Sequence, residues 1–214
     1  VVVIGGHGAF YVSGSEDGTR PGAFYASNYR DQLRFWMPTL TYHEAIPGHH
    51  FQLALIKELD LPKFRKEIHF TAFVEGWALY AEKLAYELGW YEGDIRGDVG
   101  RLGAEATRAA RLVLDTGIHA KGWTYDKAQE FSIETLGGRE SIIRYSISPG
   151  QASSYMIGML KILELREMAR QELGDLFDLK EFHAVVIGNG SLPLPILENV
   201  VENYITEKVK ANEE

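Results

Sequence analysis

The rhythm of apolar and polar positions changes near residue 38. Before it, two runs rich in aromatic and β-forming residues, AFYVSG (Ala9–Gly14) and AFYASNY (Ala23–Tyr29), flank the turn-dense stretch Ser15–Gly22, which predicts a hairpin with a long loop. The opening run Val1-Val2-Val3-Ile4 is too short for a secretory signal and lacks a basic flank, so it reads as a buried strand or a cut point. After Pro38 the pattern turns helical. Apolar residues at Phe70, Phe73, Val74, Trp77, Ala81 and Leu84 fall at helical spacing and end at Gly89, a left-handed cap. Further helices are predicted over 99–121 behind Asp98, 126–136 behind Thr124 or Tyr125, 151–173, 179–187 behind Asp178, and 195–209 behind Pro193 or Pro195. Repeats, linkers and low-complexity tracts are absent from the sequence. The expectation is a single domain over residues 1–214, mainly α, with a small β element over residues 1–30 and helices over 38–210.

Composition narrows the chemistry. With 22 Lys+Arg against 30 Asp+Glu the formal charge is −8, which argues against nucleic acid or an acidic membrane as partner. Hydrophobic content of 45% excludes a disordered chain. Cysteine is absent, so any metal site must use His, Asp and Glu. The lack of Cys and of a signal peptide favours a cytoplasmic location.

Three of the seven histidines, His43, His49 and His50, fall within HEAIPGHH. A zinc hydrolase needs protein ligands, a carboxylate that activates water, and an open coordination position. The helical solution H-E-x-x-H starts correctly at His43-Glu44, but position i+4 is Pro47 and Gly48 follows. A metal site here therefore requires a helix broken at Pro47-Gly48, so that His49 or His50 swings back. In a straight helix His50 would lie on the face of His43 but roughly 10 Å further along, and His49 would point away. Spacing leaves the two open. Glu75 follows in FVEGWALYAEKL, a helix otherwise covered with apolar residues, where a carboxylate must be paired or metal-bound. Gly76 beside it admits a close approach by another backbone or a substrate. Glu82, seven residues on, either orients a ligand His or faces solvent near Lys83 or Tyr86.

The blocks YHEAIPGHHFQ, FVEGWALYAEKL, RLVLDTGIHAKGW and RYSISPGQASSYMIG together resemble the domain of unknown function 885 family, over about Tyr11 to Tyr204. That family is grouped with zinc metallopeptidases of the thermolysin-like clan. The resemblance implies a zincin-like catalytic portion that binds Zn²⁺ through His43, His49 and Glu75, with Glu44 as general base and a peptide or small amide as substrate. It also implies a C-terminal portion of a longer protein, whose remainder would form the other wall of the cleft. PGQASSYMIG is more weakly similar to the FPTYTLG-type segment of Taq-type metallocarboxypeptidases.

Around that segment Tyr155, or Tyr145 with Arg144, could donate to a developing oxyanion, and Arg144 could instead bind a peptide carboxylate. Arg111, Asp115 and His119 share a helix face and could either serve a tetrahedral intermediate through His119 or form a salt-bridge seam. Ala23–Ala26 could pair with an extended substrate backbone. His7, His69 and His183 show no partner pattern and read as structural. Two other functions share these features: a metal-dependent hydrolase of non-peptide amides or esters, and a metal- or peptide-binding module without catalysis.

Overall fold

Thr71–Glu87, the helix that carries Glu75, lies at the centre of the molecule. The computed structural model describes residues 2–4, 8–15, 17–27 and 33–213. Val1, Gly5, Gly6, His7, Glu16, Asn28 and Tyr29, on which some of the expectations above fall, lie outside the described residues.

Three short strands come first, β1 (Val2–Ile4), β2 (Phe10–Val12) and β3 (Ala23–Ser27). The predicted hairpin is present: β2 runs antiparallel to β3 with Tyr11 opposite Phe24. The opening run pairs with β3 in parallel, Val3 opposite Ala26, so the sheet order is β1-β3-β2. This corrects the expectation for Ala23–Ala26. Its backbone is the middle of the sheet and is bonded on both sides, so it offers no free edge to a substrate, whereas β2 is an edge strand.

Helices follow in the order α1 (Met37–Glu44), α2 (His49–Glu58), α3 (Lys63–Glu67), α4 (Thr71–Glu87), α5 (Ile95–Lys121) and α6 (Tyr125–Leu136). They continue as α7 (Ile142–Ser146), α8 (Gln151–Leu173), α9 (Leu179–Ile187) and α10 (Leu194–Glu213). Among the described residues, none is long and apolar enough to cross a membrane. Capping follows the predicted chemistry in most places. Thr124 accepts from the Lys127 amide and Asp178 from the Glu181 amide, each satisfying a first-turn donor. Gly89 takes a left-handed φ of 78° just past α4. The start of α5 differs: Asp94, four residues earlier than expected, caps it through the Gly97 amide, and Asp98 is drawn instead into an ion pair with Arg101 at 2.7 Å.

The core explains why one apolar stripe on α4 understates its environment. Phe73, Trp77, Leu79, Tyr80 and Leu84 are all buried, so α4 is covered on most of its circumference, chiefly by α8 and by α1, α2 and α5, with His183 of α9 against Trp77 and Tyr80. Helix α8 lies against it through two glycines. A Cβ on Gly76 would sit 2.4 Å from Gly158 Cα, and one on Gly158 would sit 1.8 Å from the Ala72 carbonyl oxygen. Of the two approaches considered for Gly76, the structure realises that of another backbone. A second, smaller core of Leu114, Ala128, Ile142, Tyr145 and Ala152 joins α5, α6, α7 and α8.

Candidate metal centre

Helix α1 stops at Glu44, and four residues of turn, Ala45–Gly48, separate it from α2. Gly48 is obligatory there, because a Cβ would lie 1.9 Å from the His43 carbonyl oxygen. The Trp77 indole donates to the Pro47 carbonyl at 2.9 Å and ties the turn to α4. The reversal brings His49 back beside His43, with ring centroids 4.7 Å apart and nearly perpendicular. His50 is carried the other way: its Nδ1 lies 2.9 Å from the Tyr11 hydroxyl, joining α2 to the edge strand β2.

His43, His49 and Glu75 each present one donor atom, and these atoms all lie within 4.8 Å of one another. Glu75 Oε2 is 3.3 Å from His49 Nε2 and 3.6 Å from His43 Nε2. These are ion-pair distances without hydrogen-bond geometry, since Glu75 Oε2 is buried with no hydrogen-bond partner. Glu44 Oε2, in the same cavity, is likewise buried without one. Stranded carboxylate oxygens in a low-dielectric pocket are costly unless a cation meets them. Two imidazoles and a carboxylate are also a donor set used by catalytic zinc. The residues present therefore fit a divalent metal of the zinc type.

Behind His43 the chain supplies a buried support. His43 Nδ1 lies 2.8 Å from Glu82 Oε1, which leaves Nε2 facing Glu75 and His49. The other Glu82 oxygen accepts from the Thr39 hydroxyl, and Arg108 approaches Oε1 at 3.7 Å. Glu82 is thus buried and held by His43, Thr39 and Arg108, not solvated beside Lys83. Burial alone would lower the His43 pKa, but the nearby Glu75 carboxylate and the bond to Glu82 with its charge raise it to about 9. Burial would raise Glu75, yet His43 and His49 hold it well below the usual carboxylate range.

The cavity, about 340 Å³, is lined by Glu44, the three clustered residues, Tyr11 of β2, and Arg144, Gln151 and Tyr155. The Tyr155 ring stacks on His43 at 6.1 Å. Gln151 bridges two of the candidates: its Oε1 accepts from Arg144 at 2.9 Å, and its Nε2 donates to the Tyr155 hydroxyl at 3.1 Å. The Tyr155 proton is left available for donation. Burial and the nearby Glu75 charge raise its pKa and keep that proton in place.

Two expected site residues are not brought to the cavity. The Tyr145 hydroxyl is donated to Glu140 in the second core, and Arg111 lies on that same carboxylate at 3.3 Å. His119 Nε2 lies 2.9 Å from the Tyr145 carbonyl oxygen, on the far side of α7. The row on α5 is therefore a structural seam, as its second reading had it. Asp115 has a further part in it, accepting from the Gly150 amide at 3.2 Å and from the Ser153 amide at 3.0 Å, and so capping α8 from another helix. Nothing near Asp115 in the sequence signals this, since its partners lie 35 and 38 residues away. Gln151 was legible only as the residue one turn before Tyr155. His183 is structural, bonded to the Tyr80 hydroxyl at 2.7 Å.

Fold and site together define a mainly helical protein with a His/His/Glu cluster, its histidines buried and its glutamate partly so, opening on a cavity. The chain belongs to the family described as bacterial protein of unknown function (DUF885), whose model matches residues 4–201. No curated protein matches it. It is similar to the crystal structure of "the putative lipoprotein from Colwellia psychrerythraea", with 48% identity and a TM-score of 0.90 over 95% of this chain and 36% of that one. It is also similar to "a putative lipoprotein of unknown function from Shewanella oneidensis", with 25% identity and a TM-score of 0.80 over 94% of this chain and 40% of that one. The chain thus spans well under half the length of these relatives. Their description as lipoproteins overturns the cytoplasmic expectation. The composition of a stretch covering so little of such proteins does not carry their cellular address.

Proposed function

We propose that the chain is the catalytic portion of a zinc-dependent hydrolase that cleaves peptide or small amide bonds, in a secreted or membrane-anchored protein. The observation that carries this reading is the convergence of His43, His49 and Glu75 within 4.8 Å, in a cavity that also holds Glu44. A bound metal of this type supplies Lewis-acid polarisation of a carbonyl and makes water a nucleophile near neutral pH. Glu44 takes the proton of the attacking water and returns it to the leaving nitrogen. Tyr155, freed to donate by Gln151, bonds the oxygen on which negative charge develops. Arg144, at the cavity rim and steadied by Gln151, favours substrates with a carboxylate near the cleaved bond. Glu82 fixes the ring of His43 and keeps Nε2 aimed inward.

The test combines metal content with hydrolysis of a peptide panel by the polypeptide at its natural length. Glu44→Gln should retain stoichiometric zinc and lose activity. Loss of both would overturn the base assignment, and a zinc-replete wild type that cleaves no peptide or amide would overturn the reaction class. His43→Ala or Glu75→Ala should lose the metal, and stoichiometric zinc in either would remove that residue from the ligand set.

A further inference from the structure

The outer face of α5 does not have the character of a solvent-facing surface. Ile95, Val99, Leu102, Ala106, Ala109 and Val113 are all exposed and follow one another at intervals of four and three residues. The same spacing continues through exposed Thr116 and Ala120 to the end of the helix. Ile95 is 80% exposed, Val99 58% and Leu102 52%. Not one position of this row is charged, although the chain as a whole is 24% charged. The opposite face of α5 is also committed, burying Gly97, Gly100, Arg101, Ala104 and Asp115. A helix packed on one face and apolar on its exposed face belongs between two partners. A 4-3 apolar repeat sustained from Ile95 to Val113, about 27 Å at ~1.5 Å per residue, is the seam into which a second helix packs. Ala106 and Ala109 at its middle let that helix approach closely, with larger side chains needed opposite them.

We propose that this face is the docking seam for an amphipathic helix of the same polypeptide, drawn from the part that lies outside these 214 residues. The lengths favour that occupant over a second copy. The chain covers 36% and 40% of the two similar structures, so more than half of each of those polypeptides lies beyond the matched region. A segment tethered in cis also binds at a high effective concentration that a separate molecule must match. The inference is independent of the metal centre, since none of these side chains lines its cavity.

Cysteine is absent from the chain, so single thiols can be introduced cleanly. Val99→Cys, Leu102→Cys and Val113→Cys, each in the polypeptide at its natural length, are labelled with a charged maleimide in native buffer and in denaturant. The proposal expects native labelling at least about 30-fold slower than denatured labelling at all three positions, unchanged on dilution. It also expects a maleimide–diazirine linker at Leu102→Cys to capture a segment outside residues 1–214. Native rates close to the denatured ones would overturn it. Protection that disappears on dilution would overturn it in favour of a dimer of this chain.

Discussion

Glu82 shows how a residue's neighbours decide its chemistry. Its position in the sequence, among Ala81, Lys83 and Tyr86, allows a solvated carboxylate as readily as a buried one. Only the packing of α1 and α5 over α4 puts Thr39, His43 and Arg108 around it. Removing the charge while keeping the shape, Glu82→Gln, should weaken zinc binding by about 10–100-fold in a chelator competition and leave the melting temperature near wild type. Unchanged affinity would show that His43 needs no such orientation. Tyr155→Phe should reduce kcat by about 10²–10³-fold with little change in KM, as the loss of a single oxyanion donor does. A pure KM effect would reassign the hydroxyl to ground-state binding. The clustered residues were legible as residue types: a histidine cluster, a glutamate in an apolar helix, and no cysteine to compete. The choice between His49 and His50 was not, because it depends on a turn whose direction is set by Gly48 against the His43 carbonyl and by Trp77 from another helix.

At the scale of elements, the long helices were legible because each carries its own period, and two also carry their own caps, at Thr124 and Asp178. What involves two elements was not legible. The parallel pairing of β1 with β3, the capping of α8 by Asp115 and the crossing of α4 over α8 each join segments with no local signature of one another. The crossing gives a test. A methyl at Gly158 must displace the Ala72 carbonyl, a backbone atom that cannot rotate aside, so Gly158→Ala should cost about 1–3 kcal/mol in urea unfolding. Gly138→Ala, where an added Cβ meets nothing within 4 Å, is the control and should be neutral within error. Equal stability of the two would show that α8 shifts freely along α4.

For the molecule as a whole, acid stability has an identifiable contributor in His183, which packs against Trp77 and Tyr80 at the largest core. Burial and the nearby Arg166 charge lower the His183 pKa from 6.5 to about 4. Between those values the unfolded chain binds a proton there that the folded chain refuses, so stability falls as pH drops from about 6.5 towards 4. His183→Gln, which can still bond the Tyr80 hydroxyl, should show a shallower decline in melting temperature over that interval and match wild type above pH 7. Parallel curves would place the acid sensitivity elsewhere. The family assignment acts at this scale too. It rests on residues 4–201 as a unit, and the two similar structures are chains more than twice as long as this one.

The glycine contact between α4 and α8 sits next to Glu75 in the chain, and α8 also carries Tyr155. The spacing between these two side chains is therefore set by backbone lying on backbone, with no side chain between to give way. Such a site resembles a socket cut into finished masonry more than a knot drawn tight by what it holds. Stripping metal with a chelator should abolish hydrolysis while far-ultraviolet circular dichroism and cooperative unfolding persist, and readdition of zinc should restore the rate without a refolding lag. Zinc fingers, whose metal is part of their folding free energy, behave in the opposite way.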